Sequence, residues 1–205
     1  MRPLNQKLKM KKTLIIVGVI VLFVIIMFSW VSGKYNGLVK SEEGTKQAWA
    51  QVQNVYQRRS DLIPNLVETV KGYAAFEKST FVEVTNARSK ASQVTVDPTK
   101  LTPDQIQKFQ GAQDGLTQSL GRLMVVMEKY PELKANQNFL ELQAQLEGTE
   151  NRIAVERQKF NDVINEYNNT VRQFPGNVFA GMFGFEKKGY FQAEAGAEKA
   201  VKVKF

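Results

Sequence analysis

Four hydrophobic patterns follow one another along the chain. From Thr13 to Ser32 every residue is apolar or small, and no charge falls between Lys12 and Lys34. At 1.5 Å per residue, about 20 such residues span about 30 Å, the thickness of a bilayer's hydrocarbon core. Trp30 and Tyr35 stand where interfacial aromatics belong. Next, Trp49, Val52, Tyr56, Arg59, Ile63, Leu66, Val70 and Tyr73 recur in steps of three and four, and Glu77, Phe81 and Val84 keep the phase. This predicts one amphipathic helix from about Lys34 to about Ser92. After a loop at Asp97–Leu101, Ile106, Phe109, Leu116, Leu120, Leu123 and Met127 form a second stripe. Thr102, Pro103 and Gln105 give that helix an N-cap, a first-turn proline and a capping box. Finally Phe139, Leu146, Ile153, Phe160, Tyr167 and Phe174 recur every seven residues from a start near Asn136, the signature of a bundle or coiled-coil seam.

Two features interrupt the regularity. Pro64 falls inside the first stripe, where it lacks a backbone donor and crowds the carbonyl of Ser60. The stripe keeps its phase across Pro64, so a kinked continuous helix is expected; a hairpin at Pro64 would instead give four comparable helices. Arg59 lies on the apolar face. Its stem packs on apolar neighbours with the head reaching water, or a carboxylate from another helix holds it, because a buried unpaired charge is costly. Glu156, on the phase flanking the heptad seam, is the candidate partner.

The fold class is therefore all-α: an N-terminal transmembrane helix followed by an antiparallel long-helix bundle, with the first helix kinked at Pro64. Residues 1–12 form a basic arm, 13–33 the transmembrane helix, 34–175 the bundle, and 176–205 an aromatic and glycine-rich tail. Phe183, Phe185, Tyr190 and Phe191 in that tail are expected to fold back over an open end of the bundle; the alternatives are a membrane surface or a partner. The stripe around Trp49 also needs cover, from the tail, a second copy or another protein.

Composition narrows the chemistry. The chain has 205 residues, no cysteine and no histidine, so it has no thiol nucleophile, no disulfide and no imidazole base or ligand. Most hydrolytic constellations lose a required part. Carboxylate chemistry survives: Asp61 and Glu68 share a helix face about 10 Å apart, long for a glycosidase pair. No cofactor and no metal site is implied, although Arg59, Asp61, Glu77 and Glu156 could line an internal polar site able to take a ligand. The formal charge is +8, and Arg2, Lys7, Lys9, Lys11 and Lys12 carry much of it. No basic stripe interleaved with aromatics follows, so nucleic acid is not an expected partner. A basic arm before the span favours a cytoplasmic N-terminus and an extracytoplasmic bundle, in a single-pass arrangement at the cell (inner or plasma) membrane. Met10 reads as an alternative start, which would nearly remove that bias.

The stretch Arg58-Arg59-Ser60-Asp61-Leu62-Ile63-Pro64-Asn65-Leu66-Val67-Glu68-Thr69-Val70-Lys71-Gly72-Tyr73, with Glu77 and Arg88 beyond it, resembles the LemA family. So do Tyr35-Asn36 and Leu38-Val39 beyond the span, Tyr167-Asn168 with Phe174-Pro175 and Asn177, and the final Phe183-Gly184-Phe185 and Tyr190-Phe191. Phe76 departs from it, standing where the family often carries histidine. The resemblance implies a bacterial single-span membrane protein with a long-helix bundle, in settings linked to envelope stress, membrane proteolysis and signalling. It brings no catalytic residues and no small-molecule substrate. The expected role is a non-enzymatic scaffold or adaptor with an unidentified protein partner or self-association; a sensor or ligand-binding bundle is the alternative.

Overall fold

The structure, a computed structural model, describes residues 4–71 and 78–193. Its elements are all helices: α1 (Leu4–Lys71), α2 (Lys78–Gln93), α3 (Pro103–Met127), α4 (Pro131–Lys134), α5 (Gln137–Arg172) and α6 (Gly176–Phe183). α1 has 68 residues and is therefore about 100 Å long. Between Leu14 and Phe28 its large apolar side chains are all exposed. This is a helix apolar on every side, of mean hydropathy 3.1, long enough to cross a membrane. From Leu38 onward only one face is apolar, and Leu38, Trp49, Val52, Tyr56, Ile63, Leu66 and Val70 are all buried.

α1 stays helical through Pro64, as the unbroken phase of the stripe implied. The missing N–H of Pro64 frees the carbonyl of Ser60, its partner four residues back. Arg88 supplies a replacement. Its Nε–H donates to the Ser60 carbonyl at 2.9 Å and lies 3.2 Å from the Ser60 hydroxyl. That bond also overturns the expectation of one helix reaching Ser92. In such a helix Ser60 and Arg88 would stand about 40 Å apart. Instead α2 begins anew at Lys78 and runs back alongside α1. The reversal is not at Pro64.

The bundle that results is four-membered: the upper part of α1, then α2, α3 and α5, each antiparallel to the one before. α3 starts as its cap residues require, with the Thr102 hydroxyl accepting from the Gln105 N–H at 3.3 Å. The reciprocal half of the expected capping box is absent, since the Gln105 side-chain oxygen is buried without a donor. Asn136 caps α5 by accepting from the Phe139 N–H at 3.0 Å. The heptad residues Phe139, Leu146, Ile153, Phe160 and Tyr167 are buried. Phe174 is not: α5 ends at Arg172, the helical phase ends with it, and Phe174 is 83% exposed.

The core is stacked in three layers along α1. The layer farthest from the apolar span joins Ile63, Leu66 and Val70 to Leu116, Leu123 and Phe139. The middle layer is aromatic, built on Trp49, Tyr56, Phe109, Phe160 and Phe191. The layer next to the span holds Leu38, Tyr167, Val171, Phe179 and Ala180.

The Ser60–Arg88 bond predicts a thermodynamic coupling. Arg88→Met strands the Ser60 carbonyl and should destabilise the protein by about 1–2 kcal/mol in thermal or denaturant melts in mild detergent. In a Pro64→Ala background that carbonyl regains its helical donor, and the same change should cost about 1 kcal/mol less. Equal costs in both backgrounds would place the contribution of Arg88 elsewhere.

Candidate functional site

The phase of the α1 stripe points Arg59 inward, and the bundle closes over it until 1% of the residue is exposed. Two other helices meet its guanidinium. One terminal nitrogen donates to the Thr117 hydroxyl at 2.8 Å and to Glu150 at 2.9 Å. The other donates to the Gln113 side-chain oxygen at 2.7 Å and the Gln113 carbonyl at 3.3 Å. The guanidinium carbon lies 5.0 Å from the centre of the Tyr56 ring. Burial pushes the Tyr56 phenol up to about 12, against smaller opposing pulls from Arg157 and Arg59. Arg59 thus ties α1 to α3 and α5, and the chain's own groups occupy the site.

The partner is Glu150 rather than Glu156, which accepts from Lys159 at 2.7 Å. The antiparallel register explains the correction. Trp49 meets Phe160, so Arg59, ten residues further along α1, meets a residue ten back along α5. Glu156 lies six residues from that position, about 9 Å along the axis. Glu77 falls outside the described residues. Arg58, Asp61, Pro64, Asn65 and Glu68 face outward. Asp61 accepts from Gln57 at 2.7 Å and Glu68 from Lys71 at 2.7 Å. The internal Arg/carboxylate site envisaged around Arg59, Asp61 and Glu156 is therefore not assembled. The polar side chains of the motif instead form an outer stripe, spaced three, four and three along α1. Among the described residues no three acidic side chains come together as a metal site.

A second polar arrangement holds the tail. After Gly184, which ends α6 with a positive φ of 78°, the chain leaves helical structure and runs as a strap across α5 and α3. Three side-chain amides grip its backbone, each both giving and taking a hydrogen bond. Asn168 binds Lys188 at 2.9 Å in both directions. Asn161 does the same to Phe191 at 2.9 Å, and Gln110 to Gln192 at 3.0 Å. Gly189 passes so close that a Cβ there would lie 2.6 Å from the Pro103 Cα. Lys188 is buried; its ammonium donates to the Thr99 carbonyl at 2.8 Å, lies 3.2 Å from Glu42 and sits over the Tyr167 ring. At the Asn161 clip, Phe191 is driven into the middle layer, stacked on Trp49 with centroids 6.1 Å apart. The tail therefore supplies the cover that Trp49 needed. Trp49 and Phe191 are interior residues and not a docking surface. Phe183 and Tyr190 are partly exposed, and Phe185 is half-buried against the layer nearest the span.

Known proteins resemble this chain in sequence. A sequence model of the LemA family matches residues 48–205. The chain belongs to the LemA family. It is 27% identical over 198 residues to magnetosome protein MamQ 2 of Paramagnetospirillum magneticum, covering 88% of this chain and 73% of that protein. It is 25% identical over 185 residues to magnetosome protein MamQ of Magnetospirillum gryphiswaldense, covering 82% and 68%. Protein LemA of Metamycoplasma hominis is 26% identical over 163 residues, covering 78% and 70%. In this LemA-family chain the matched stretch holds the Arg59 clamp, the amide clips and the strap, while the apolar span precedes it.

The clips went unread in the sequence. Asn161 and Asn168 stand one heptad apart beside the seam residues Phe160 and Tyr167, and that polar repeat was the available signal. Substitution should separate the two carboxylates on α5. Arg59→Met should destabilise the protein by about 3–5 kcal/mol, with Arg59→Lys recovering little of it, because a point charge cannot serve the three residues that the fork reaches. Glu150→Gln should cost about 1 kcal/mol or less, since Glu150 is 45% exposed on its side chain. Glu156→Gln should lie within about 0.5 kcal/mol of the parent. Denaturant melts check all four, and a larger loss for Glu156→Gln than for Glu150→Gln would contradict the register.

Proposed function

We propose that this LemA-family chain is a non-enzymatic, single-pass membrane scaffold that holds a helical bundle at a fixed distance and orientation from a bilayer. One observation carries the reading. α1 passes from the apolar span into the centre of the bundle as a single helix, with no linker between Phe28 and Trp49. An anchor that merely localised a domain would not need to be rigidly continuous with its core. The interior supports the same view, because the polar side chains of the Arg59 cluster and of the amide clips bind one another and the strap backbone. The lack of cysteine and histidine agrees.

The outer stripe of Arg58, Asp61, Asn65 and Glu68 is the proposed contact face for a protein partner or a second copy, displayed well above the membrane. The basic residues ahead of the span support a cytoplasmic N-terminus with the bundle outside the cell membrane. The family resemblance points to envelope stress or membrane-protein quality control as the setting.

In-cell photocrosslinking from Asn65 and Glu68 tests the reading. A reproducible neighbour is expected, and a flexible Gly/Ser insertion between Gly33 and Lys34 should abolish that crosslink while leaving the chain in the membrane fraction. A chain with no neighbour at either position, or one whose crosslinks survive the insertion unchanged, would count against rigid display.

A further inference from the structure

Beyond the apolar span, the exposed Val82, Val125, Leu140 and Val155 are scattered singly over the bundle. Scattered residues of this kind are ordinary on a protein surface. Residues 174–183 are different, with Phe174, Val178, Met182 and Phe183 all exposed there. Phe174 is 83%, Val178 49% and Met182 69% exposed. Val178 and Met182 stand one turn apart on α6, and Phe174 lies at its entry. α6 reads Gly-Asn-Val-Phe-Ala-Gly-Met-Phe and carries no charge. Its inner side is already engaged, with Phe179 and Ala180 buried against Leu38, Tyr167 and Val171. A helix apolar on both sides needs a second apolar environment.

The position of α6 along α1 identifies that environment. The Phe179 ring meets the Trp30 ring edge-on at 5.2 Å, and the Phe183 ring meets Tyr35 edge-on at 4.9 Å. α6 therefore lies beside residues 30–35 of α1, immediately past the apolar span. Five residues of helix rise about 7–8 Å. That is close to the depth of one headgroup layer, the difference between a core of about 30 Å and a bilayer of about 40–45 Å shared over two sides. The uncovered side of α6 is thus continuous with the lipid-facing surface of α1. Lys34 and Lys40 border the groove that begins at Phe174 and Pro175, with Glu166 the one acid among its described lining residues. Such a basic rim suits anionic headgroups.

We propose that α6, with Phe174 at its entry, is a second membrane-contacting element that lies in the headgroup–acyl boundary of the bilayer crossed by α1. This rests on the membrane-anchored reading above. A single span leaves a protein free to rotate about its axis and to tilt. A second contact to one side of that axis restrains the tilt and its direction, and so selects which face of the bundle leans toward the membrane. Phe174, Val178 and Met182 are the residues that would enter the lipid.

The chain has no cysteine, so single labels report cleanly. Four variants, Val24→Cys in the span, Val178→Cys and Met182→Cys on α6, and Val155→Cys on α5, would each carry an environment-sensitive fluorophore. The full chain would be reconstituted in phosphatidylcholine/phosphatidylglycerol vesicles with and without lipid bearing a shallow acyl nitroxide. We expect the labels at 178 and 182 to lose fluorescence to the nitroxide, as the span label does, while the label at 155 keeps it. A quenched span label with both α6 labels unquenched would overturn the inference and leave the anchor standing. Disulfide crosslinking of unlabelled Met182→Cys between copies, with no quenching of the labelled variant, would overturn it in favour of a second chain on α6. An unquenched span label would overturn the anchored reading and this inference together.

Discussion

A helix about 100 Å long cannot be covered by any one partner, and the rest of this protein is arranged to cover α1 one stretch at a time. α5 runs antiparallel along it, and α2 and α3 complete the bundle around its far end. The strap brings Phe191 onto Trp49 in the middle layer. α6 closes the layer next to the span through Phe179 and Phe183. The need is greatest near the membrane, where Gly33, Gly37 and Gly44 weaken α1 as a helix by about 1 kcal/mol each relative to alanine. Leu38, Tyr167, Val171 and Phe179 pack at that point. Without them the junction between span and bundle would be the weakest part of the molecule.

Apolar packing alone would not choose among registers of two long helices, because a heptad seam slipped by seven residues buries nearly the same surface. The buried polar contacts supply the choice. Arg59 is matched only when α1 and α5 align so that Glu150, Thr117 and Gln113 all reach it. The three amide clips do the same for the tail. Each satisfies an N–H and a carbonyl of a strap that has no sheet to join, and that obligation admits one alignment. Such groups add little net stability over well-packed apolar residues, and removing one partner is nonetheless costly.

Much of this was legible in the sequence. The span, the buried stripes of α1 and α3, the cap at Thr102 and the seam on α5 all follow from local periodicity and local cap chemistry. What escaped is non-local. The stripe keeps its phase from Trp49 through Phe81, so periodicity alone could not show that α2 runs back alongside α1. Choosing Glu150 over Glu156 required the α1–α5 register, which one strand of sequence does not contain. Phe174 fitted the heptad and still faces solvent, since the count continues past the point where the helix stops. Tail aromatics announced burial without saying against what, and Phe191 and Val178 took opposite fates within fourteen residues of each other.

The account depends on α1 being one helix from the bilayer into the bundle. Amide hydrogen exchange across residues 30–40, measured on the full chain in lipid nanodiscs, tests this most directly. Continuity predicts slow exchange through Gly33 and Gly37, within reach of the protection seen in the bundle part of α1. Exchange at the rate of an unfolded peptide over those residues, with the bundle still protected, would mean a flexible tether and would contradict a rigid scaffold.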